Sequence, residues 1–403
     1  MELMRRLALG FTLILVFAIP TDGIVDLFGL SLVKFAGLLA FGLTVLQIIV
    51  GSEVRGTSAF MLLVLLYASW AMFSFLWSPM PVDYFTPAAI NSQQSLKAHL
   101  YLLFFVLLLF QVIRSGLDIR LVFAAYLLGT LGIVFLLVQG FGAAGATVRQ
   151  EIQGFDANES AVRISTGIPM AIYLFARCRH RVWRWLALTF IPVALFAIML
   201  TGSRTGAVTM VIGLMGFIPL LWRAGWLVKL SGLALLLALL VGVGSVIPEK
   251  TLERLFTTGS ELTQGTLNAR SITWARAYEE WEQKPWAGHG LGAFRRVINR
   301  HNIDYTAHNS FVAISVEQGV TGLLFYLAVI VLALFYAGQL AGEERMLMLS
   351  LVLIVTLGQM SLTLHEYLYI WLALLLPVLL YTLEREASAP LTPLTGTATE
   401  AVT

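Results

Sequence analysis

Runs of apolar residues long enough to cross a bilayer follow one another along almost the whole chain, with only short polar connections between most of them. A bilayer core takes about 20 predominantly apolar residues as α-helix, and fewer where aromatic or basic side chains snorkel at the ends. By that measure about twelve spans are predicted, near residues 7–21, 28–50, 58–77, 97–113, 121–139, 162–176, 185–201, 206–222, 230–247, 310–337, 345–363 and 367–382. Backbone polar groups in lipid have to be satisfied within their own segment, so such runs fold as helices and the chain reads as an all-α polytopic membrane protein. Composition agrees, since 58% of the 403 residues are hydrophobic and only 12% are charged. Gly319 and Gly322 lie inside the span near 310–337 and predict a break or a tight helix contact there.

Orientation follows from Lys and Arg in the short connections. Arg5, Arg6, Arg55, Arg114, Arg120, the group Arg177, Arg179, Arg181 and Arg184, then Arg223, Lys229 and Arg345 fall on one side. The opposite short connections, 22–27, 202–205 and 364–366, contribute only Arg204. Both termini are therefore expected in the cytoplasm, with the long loops 140–161 and 248–309 facing outward. Residues 1–386 form one integral membrane domain in this reading, and residues 387–403, rich in Thr, Ala and Pro, form a disordered cytoplasmic tail. Met1–Pro20 reads as an uncleaved first span, because Arg5 and Arg6 precede an apolar run without an evident small-residue cleavage site. A single cysteine, Cys178, excludes an intrachain disulfide framework, and a net charge of +3 without a Lys/Arg block argues against nucleic acid as a partner.

In the loop 248–309, Leu267, Trp274, Tyr278 and Trp281 recur at helical spacing, which predicts an amphipathic helix with an aromatic face. Arg270 falls one turn before Trp274 and shares that face. The turn Gly288-His-Gly-Leu-Gly292 lacks the lysine of a phosphate-binding P-loop, so no nucleotide site is expected.

Thr306-Ala-His308-Asn309-Ser310 places an imidazole where a polar loop re-enters an apolar run. Ionisable groups near the bilayer are costly and mark function by default, and an imidazole of ordinary pKa near 6.5 can take a hydroxyl proton near neutral pH. The bland alternative is an interfacial histidine satisfied by a backbone carbonyl. Asp304 and Glu366 are candidates to orient His308, each equally readable as a solvated carboxylate. His289, His301 and His308 share the outer side, yet their spacing matches no helical ligand pair and no cysteine is near, so no metal is expected. Ser203 and Ser310 lack an identifiable base and acid for nucleophilic work. Arg204, in Thr201-Gly-Ser-Arg204-Thr-Gly206, presents a planar fork that matches phosphate oxygens, among small residues that leave room for a headgroup. Arg149 and Arg163 flank the segment Gly154–Glu159 and would add to an electropositive pocket.

These residues carry a family resemblance. Arg149 ahead of an element ending at Asn158, the Arg204 segment, Arg270 with Trp274, Pro285 to Phe294, and His308-Asn-Ser with Gly319 and Gly322 resemble, in order, the O-antigen ligase family. The wider superfamily adds O-antigen polymerases and protein O-oligosaccharyltransferases, and the segment Leu364 to Trp371 looks like the family's last span. The resemblance implies a glycosyltransferase C type fold in the bacterial inner membrane, with loop 248–309 as a large helical periplasmic loop over an outward-facing cavity. It implies transfer of a glycan from undecaprenyl diphosphate to a terminal sugar of lipid A core, metal-independent, inverting and without a cofactor. His308 would be the general base, with Arg204, Arg270, Arg149, Arg163 and Asn309 binding substrate. Two other readings stay open: a polymerase of the same superfamily, and a transporter of anionic lipids, for which Lys34 is the one good relay residue at bilayer depth.

Overall fold

The computed structural model describes the chain apart from residues 1, 23–25, 28–29, 53, 80–86, 145–150, 153–155, 228, 231, 233, 235–240, 242–269, 304 and 389–403. The described helices are α1 (Glu2–Ala18), α2 (Leu32–Ile49), α3 (Ala59–Ser74), α4 (Pro87–Val112), α5 (Gly116–Ala144), α6 (Ala157–Arg177), α7 (Arg181–Leu200), α8 (Arg204–Leu214) and α9 (Ile218–Arg223). After them come α10 (Arg270–Gln283), α11 (Phe294–Asn299), α12 (Ser310–Gln339), α13 (Gly342–Ser361) and α14 (Leu368–Ser388). A two-stranded antiparallel turn, Asp26–Leu27 against Leu30–Ser31, joins α1 to α2.

Among the described residues, 10 helical segments are long and apolar enough to cross a membrane, α8 and α9 together making one of them, Arg204–Arg223. They coincide with ten of the spans predicted from sequence. The span expected near 230–247 lies mostly outside the described residues. The one expected near 162–176 is a helix, α6, but it is too polar to count as a lipid-facing span, carrying Glu159, Ser160, Arg163, Ser165 and Thr166. Its environment explains this: every residue from Ala157 to Leu174 is buried except Asn158, with α5, α7, α8 and α13 packed around it. A helix without a lipid face has no need of an apolar one.

Helix starts follow the capping rules closely. Ser31 caps α2, Ser58 caps α3, Asp156 caps α6, Ser203 caps α8 and Asn309 caps α12, each side chain accepting a hydrogen bond from a first-turn backbone N–H. α2, α6, α8, α12 and α14 all begin at the same end of the bundle, where α1, α7 and α13 finish.

At that end α12 breaks. Gly319 has φ 68° and ψ −170°, splitting the span into two half-helices, and the polar groups released are all answered. The Val316 carbonyl accepts from His289 N–H at 2.8 Å and the Glu317 carbonyl from Gly290 N–H at 2.7 Å. The Gln318 carbonyl accepts from Trp70 Nε1 at 3.0 Å. Beyond the break, Val320 N–H donates to the Pro285 carbonyl at 2.7 Å. A membrane helix tolerates such a break only where its backbone is buried in protein and paired. Of the glycines in the 288–292 turn, Gly288 serves this joint, while Gly290 and Gly292 lie against Ser78 and Ser92. Gly288 has φ 67°, and a Cβ there would lie 2.4 Å from the Glu317 carbonyl; a Cβ on Gly319 would lie 2.3 Å from the Trp286 oxygen.

Gly319→Ala is accordingly expected to destabilise the protein strongly, since it adds a backbone clash to a conformation costing about 1–3 kcal/mol for an L-residue. Gly338→Ala on the same helix, where a Cβ meets nothing within 4 Å, should leave melting in detergent unchanged or slightly raised. Equal melting of the two variants would refute the joint.

Candidate active site

His308 immediately precedes the cap of α12 and has φ 45°, a left-handed conformation that L-residues rarely adopt. Its neighbours leave it no choice. On one side the Ala307 carbonyl accepts from Trp274 Nε1 at 2.8 Å. On the other, Asn309 Oδ1 accepts from Phe311 N–H and Val312 N–H at 2.9 and 3.1 Å while its Nδ2 donates to the Met360 carbonyl at 3.1 Å. Ser310 Oγ then donates to the Leu362 carbonyl at 3.1 Å and accepts from Leu364 N–H at 2.8 Å. Backbone strain of this kind persists only where the surroundings over-determine it, and it concentrates at functional sites. The same bonds assign Asn309 and Ser310 to holding the loop.

The Arg204 segment meets the end of α13 that also holds this loop. Gly202, at φ 57°, turns the chain out of α7, Ser203 caps α8 through Gly206 N–H at 2.9 Å, and Arg204 is the first helical residue. Gly206 lets α8 press on α6, because a Cβ there would lie 2.5 Å from Ala161 Cβ. Ser203 Oγ donates to Asn158 Oδ1 at 2.8 Å, and Thr205 Oγ1 donates to Ser361 Oγ at 2.8 Å. Arg204 thus sits between the first turn of α6 and the end of α13, and that end, through Met360, also holds Asn309.

Arg270 opens α10 one turn before Trp274, so both lie beside the His308 loop. The aromatic face predicted for this helix is displaced by one position. Thr273, Ala277 and Glu280 are its buried residues, Trp281 packs partly against the loop core, and Tyr278 is exposed; Leu267 lies outside the described residues.

Burial and two charges set the state of His308. Burial pushes the imidazole below its ordinary pKa, the Arg270 guanidinium pushes it further, and the Asp156 carboxylate partly opposes them. The net direction is down, so the ring is neutral and basic at pH 7. A base acts in its deprotonated form, so with His308 as base the acid limb of kcat/KM is expected below the ordinary imidazole range. Arg270→Gln removes a lowering charge and should move that limb to higher pH. Asp156→Asn keeps a capping side chain, removes the opposing charge and should move it to lower pH. Superimposable pH profiles for wild type and both variants would show that neither charge reaches the base.

The remaining predicted residues are distributed otherwise. Arg149 and Asp304 lie outside the described residues. Arg163 is 1% exposed; its guanidinium bonds the Glu159 carboxylate and the Pro20 carbonyl, the latter at 2.7 Å, and lies 5.2 Å from the ring centroids of both Tyr367 and Tyr369. It is an internal brace with an acidic partner. Glu366 does not face His308: its Oε1 lies 3.9 Å from His99 Nδ1 and 4.0 Å from His365 Nε2. His289 and His301 converge on Glu280, with His289 Nε2 donating to its carbonyl at 2.9 Å and His301 Nε2 lying 2.8 Å from its carboxylate.

Sequence reasoning missed Asp156, the carboxylate whose field reaches His308. It also missed His99, which with His365 and Tyr67 forms a buried polar cluster. An Asp-Ala-Asn cap before a helix was a signal for the first. Nothing local marks the second.

No curated protein matches the chain. A family model described as O-antigen ligase matches residues 187–327, a stretch that runs from within α7 to just past the break in α12 and holds Arg204, Arg270, the 288–292 glycine turn and His308. The segment that brings a strained imidazole, an arginine beside it and a broken span together is thus the segment the family model describes, and over residues 187–327 this chain is similar to the O-antigen ligase family.

Proposed function

We propose that the protein transfers a glycan from undecaprenyl diphosphate to a terminal sugar of lipid A core, at the periplasmic face of the bacterial inner membrane. The observation that carries this reading is His308 itself, an imidazole held neutral and strained beside Arg270, with the Arg204 segment joined to its loop through the end of α13. His308 takes the proton of the acceptor hydroxyl as that oxygen attacks the anomeric carbon from the face opposite the diphosphate. The new glycosidic bond forms, the bond to the diphosphate oxygen breaks with its electron pair, and configuration inverts. Arg204 and Arg270 bind the diphosphate and meet the charge it gains on leaving, the role for which a guanidinium fork is suited. Arg149 is a further candidate for that set, and Arg163 supports it as a brace between α6 and the end of α1. The donor linkage is already activated, so the reaction needs neither ATP nor a metal, and the bundle is of glycosyltransferase C type.

In proteoliposomes supplied with lipid-linked glycan and lipid A core, the full-length protein is expected to form the covalent glycolipid without ATP and at the same rate in EDTA. Lengthening of lipid-linked glycan in place of conjugate would make it a polymerase. Movement of donor between leaflets without any new bond would make it a transporter.

A further inference from the structure

α6 is enclosed along its length, and only its first turn and cap are open. Asp156 and Asn158 are half-buried there, while the helix beyond them is covered by its neighbours through Leu174. A sequence of side-chain bonds ties this tip to the base. Asn158 Oδ1 accepts from Ser203 Oγ at 2.8 Å, beside Arg204. Thr205 Oγ1, on the other side of Arg204, donates to Ser361 Oγ at 2.8 Å, and the adjoining Met360 carbonyl accepts from Asn309 Nδ2 at 3.1 Å, beside His308. The Asp156 carboxylate is close enough to act on the imidazole. One of its oxygens is committed to the cap, accepting from Asn158 N–H at 2.7 Å, and the other makes no hydrogen bond among the described residues.

A sugar hydroxyl brings a proton as well as lone pairs, and a pyranose carries hydroxyls on neighbouring carbons. A base that takes the proton of one hydroxyl leaves the proton of its neighbour to be accepted by another group. Arg204 and Arg270 can only donate, whereas a carboxylate can accept several hydrogen bonds. Other carboxylates are already engaged: Glu159 is bound to Arg163, Glu366 lies between His99 and His365, and Glu317 accepts from Phe294 N–H at 3.1 Å. We propose that Asp156 accepts a hydrogen bond from the acceptor-sugar hydroxyl next to the reacting one, fixing that sugar against His308 and selecting it over sugars that lack the neighbouring hydroxyl. The assignment rests on the transferase reading and adds to it the residue that reads the acceptor. A site that hydrogen-bonds a hydroxyl rejects the analogue lacking it, because the polar group on the protein is left unpaired.

The test uses the full-length protein in proteoliposomes with lipid-linked glycan and, as acceptors, lipid A core and its terminal-sugar deoxy analogues, each lacking one hydroxyl other than the reacting one. Rates are read well above the imidazole titration range, so that the charge of Asp156 no longer alters the amount of neutral base. Wild type should use one analogue roughly 10–100-fold less efficiently in kcat/KM, the loss expected when a hydrogen bond to a charged group is removed. Asp156→Asn and Asp156→Ser keep a capping oxygen. Both should raise the KM of intact core about tenfold or more, leave the donor KM unchanged, and fail to distinguish that analogue from intact core. The ratio is taken within each variant, so a change in the folded fraction cancels. Equal discrimination by wild type and both variants overturns the proposal and leaves Asp156 a helix cap. So does a wild type that accepts every analogue as well as intact core. Binding of the same acceptors in phosphatidylcholine nanodiscs without donor separates the two readings. Discrimination that depends on Asp156, in a protein that forms no conjugate, would refute the transfer and support the acceptor contact.

Discussion

Replacing His308 with alanine is expected to lower conjugate formation by at least about 100-fold, the lower bound for loss of a general base, without loss of donor binding. In the proposed reaction the imidazole contacts the acceptor hydroxyl and not the diphosphate, so only turnover should fail. Alanine at φ 45° is itself strained, and His308→Gly separates the two effects. Glycine adopts that conformation without cost, so His308→Gly should be as inactive as the alanine variant yet melt at or above the wild-type temperature. An active glycine variant would remove His308 from the mechanism. An inactive one that melts well below wild type would assign His308 to the fold.

Arg204→Ala should cost nearly as much, because a fixed donor aimed at developing charge contributes about 2.7–4 kcal/mol, or roughly 10²–10³ in kcat. Arg204→Lys keeps the charge and loses the planar fork, so it should retain partial activity, between the alanine variant and wild type. Both variants keep the Ser203 cap and the Gly206 contact with α6, so membrane abundance should not change. Full activity in Arg204→Ala at equal abundance would reduce Arg204 to an interfacial anchor.

What the sequence made legible was mostly local. Apolar run length located ten spans, since in lipid the helix is the only way to satisfy a backbone over that distance. Arg270 and Trp274 were placed on one face by their four-residue spacing, and Trp274 does hold the His308 loop. Gly319 was suspect as a non-propagating residue inside an apolar run, and it is the break. The failures were tertiary. Glu366 is near His308 in outer-loop terms, yet α14 turns it toward His99, a partner 267 positions away in the chain. Arg163 looked like an outward cation because the residues beside it are polar, but it lies on a helix with neighbours all round, where Glu159 and two tyrosines complete its surroundings. What requires the 288–292 glycines was not legible either, because their neighbours, Glu317 for Gly288, Ser78 for Gly290 and Ser92 for Gly292, are distant in the chain.

The polarity of α6 has a consequence for how this protein is made. A segment with Glu159 and Arg163 near its start, and serine and threonine through its middle, gains too little from lipid to leave the translocon by itself, as each ionised residue at depth costs about 2.5–3.5 kcal/mol on insertion scales. Its stability in the bilayer is lent by α5 and α7 on either side, and later by α8 and α13. Release of α6 into lipid is therefore expected to wait for the hairpin of α7 and α8, whose packing gives its polar face protein neighbours.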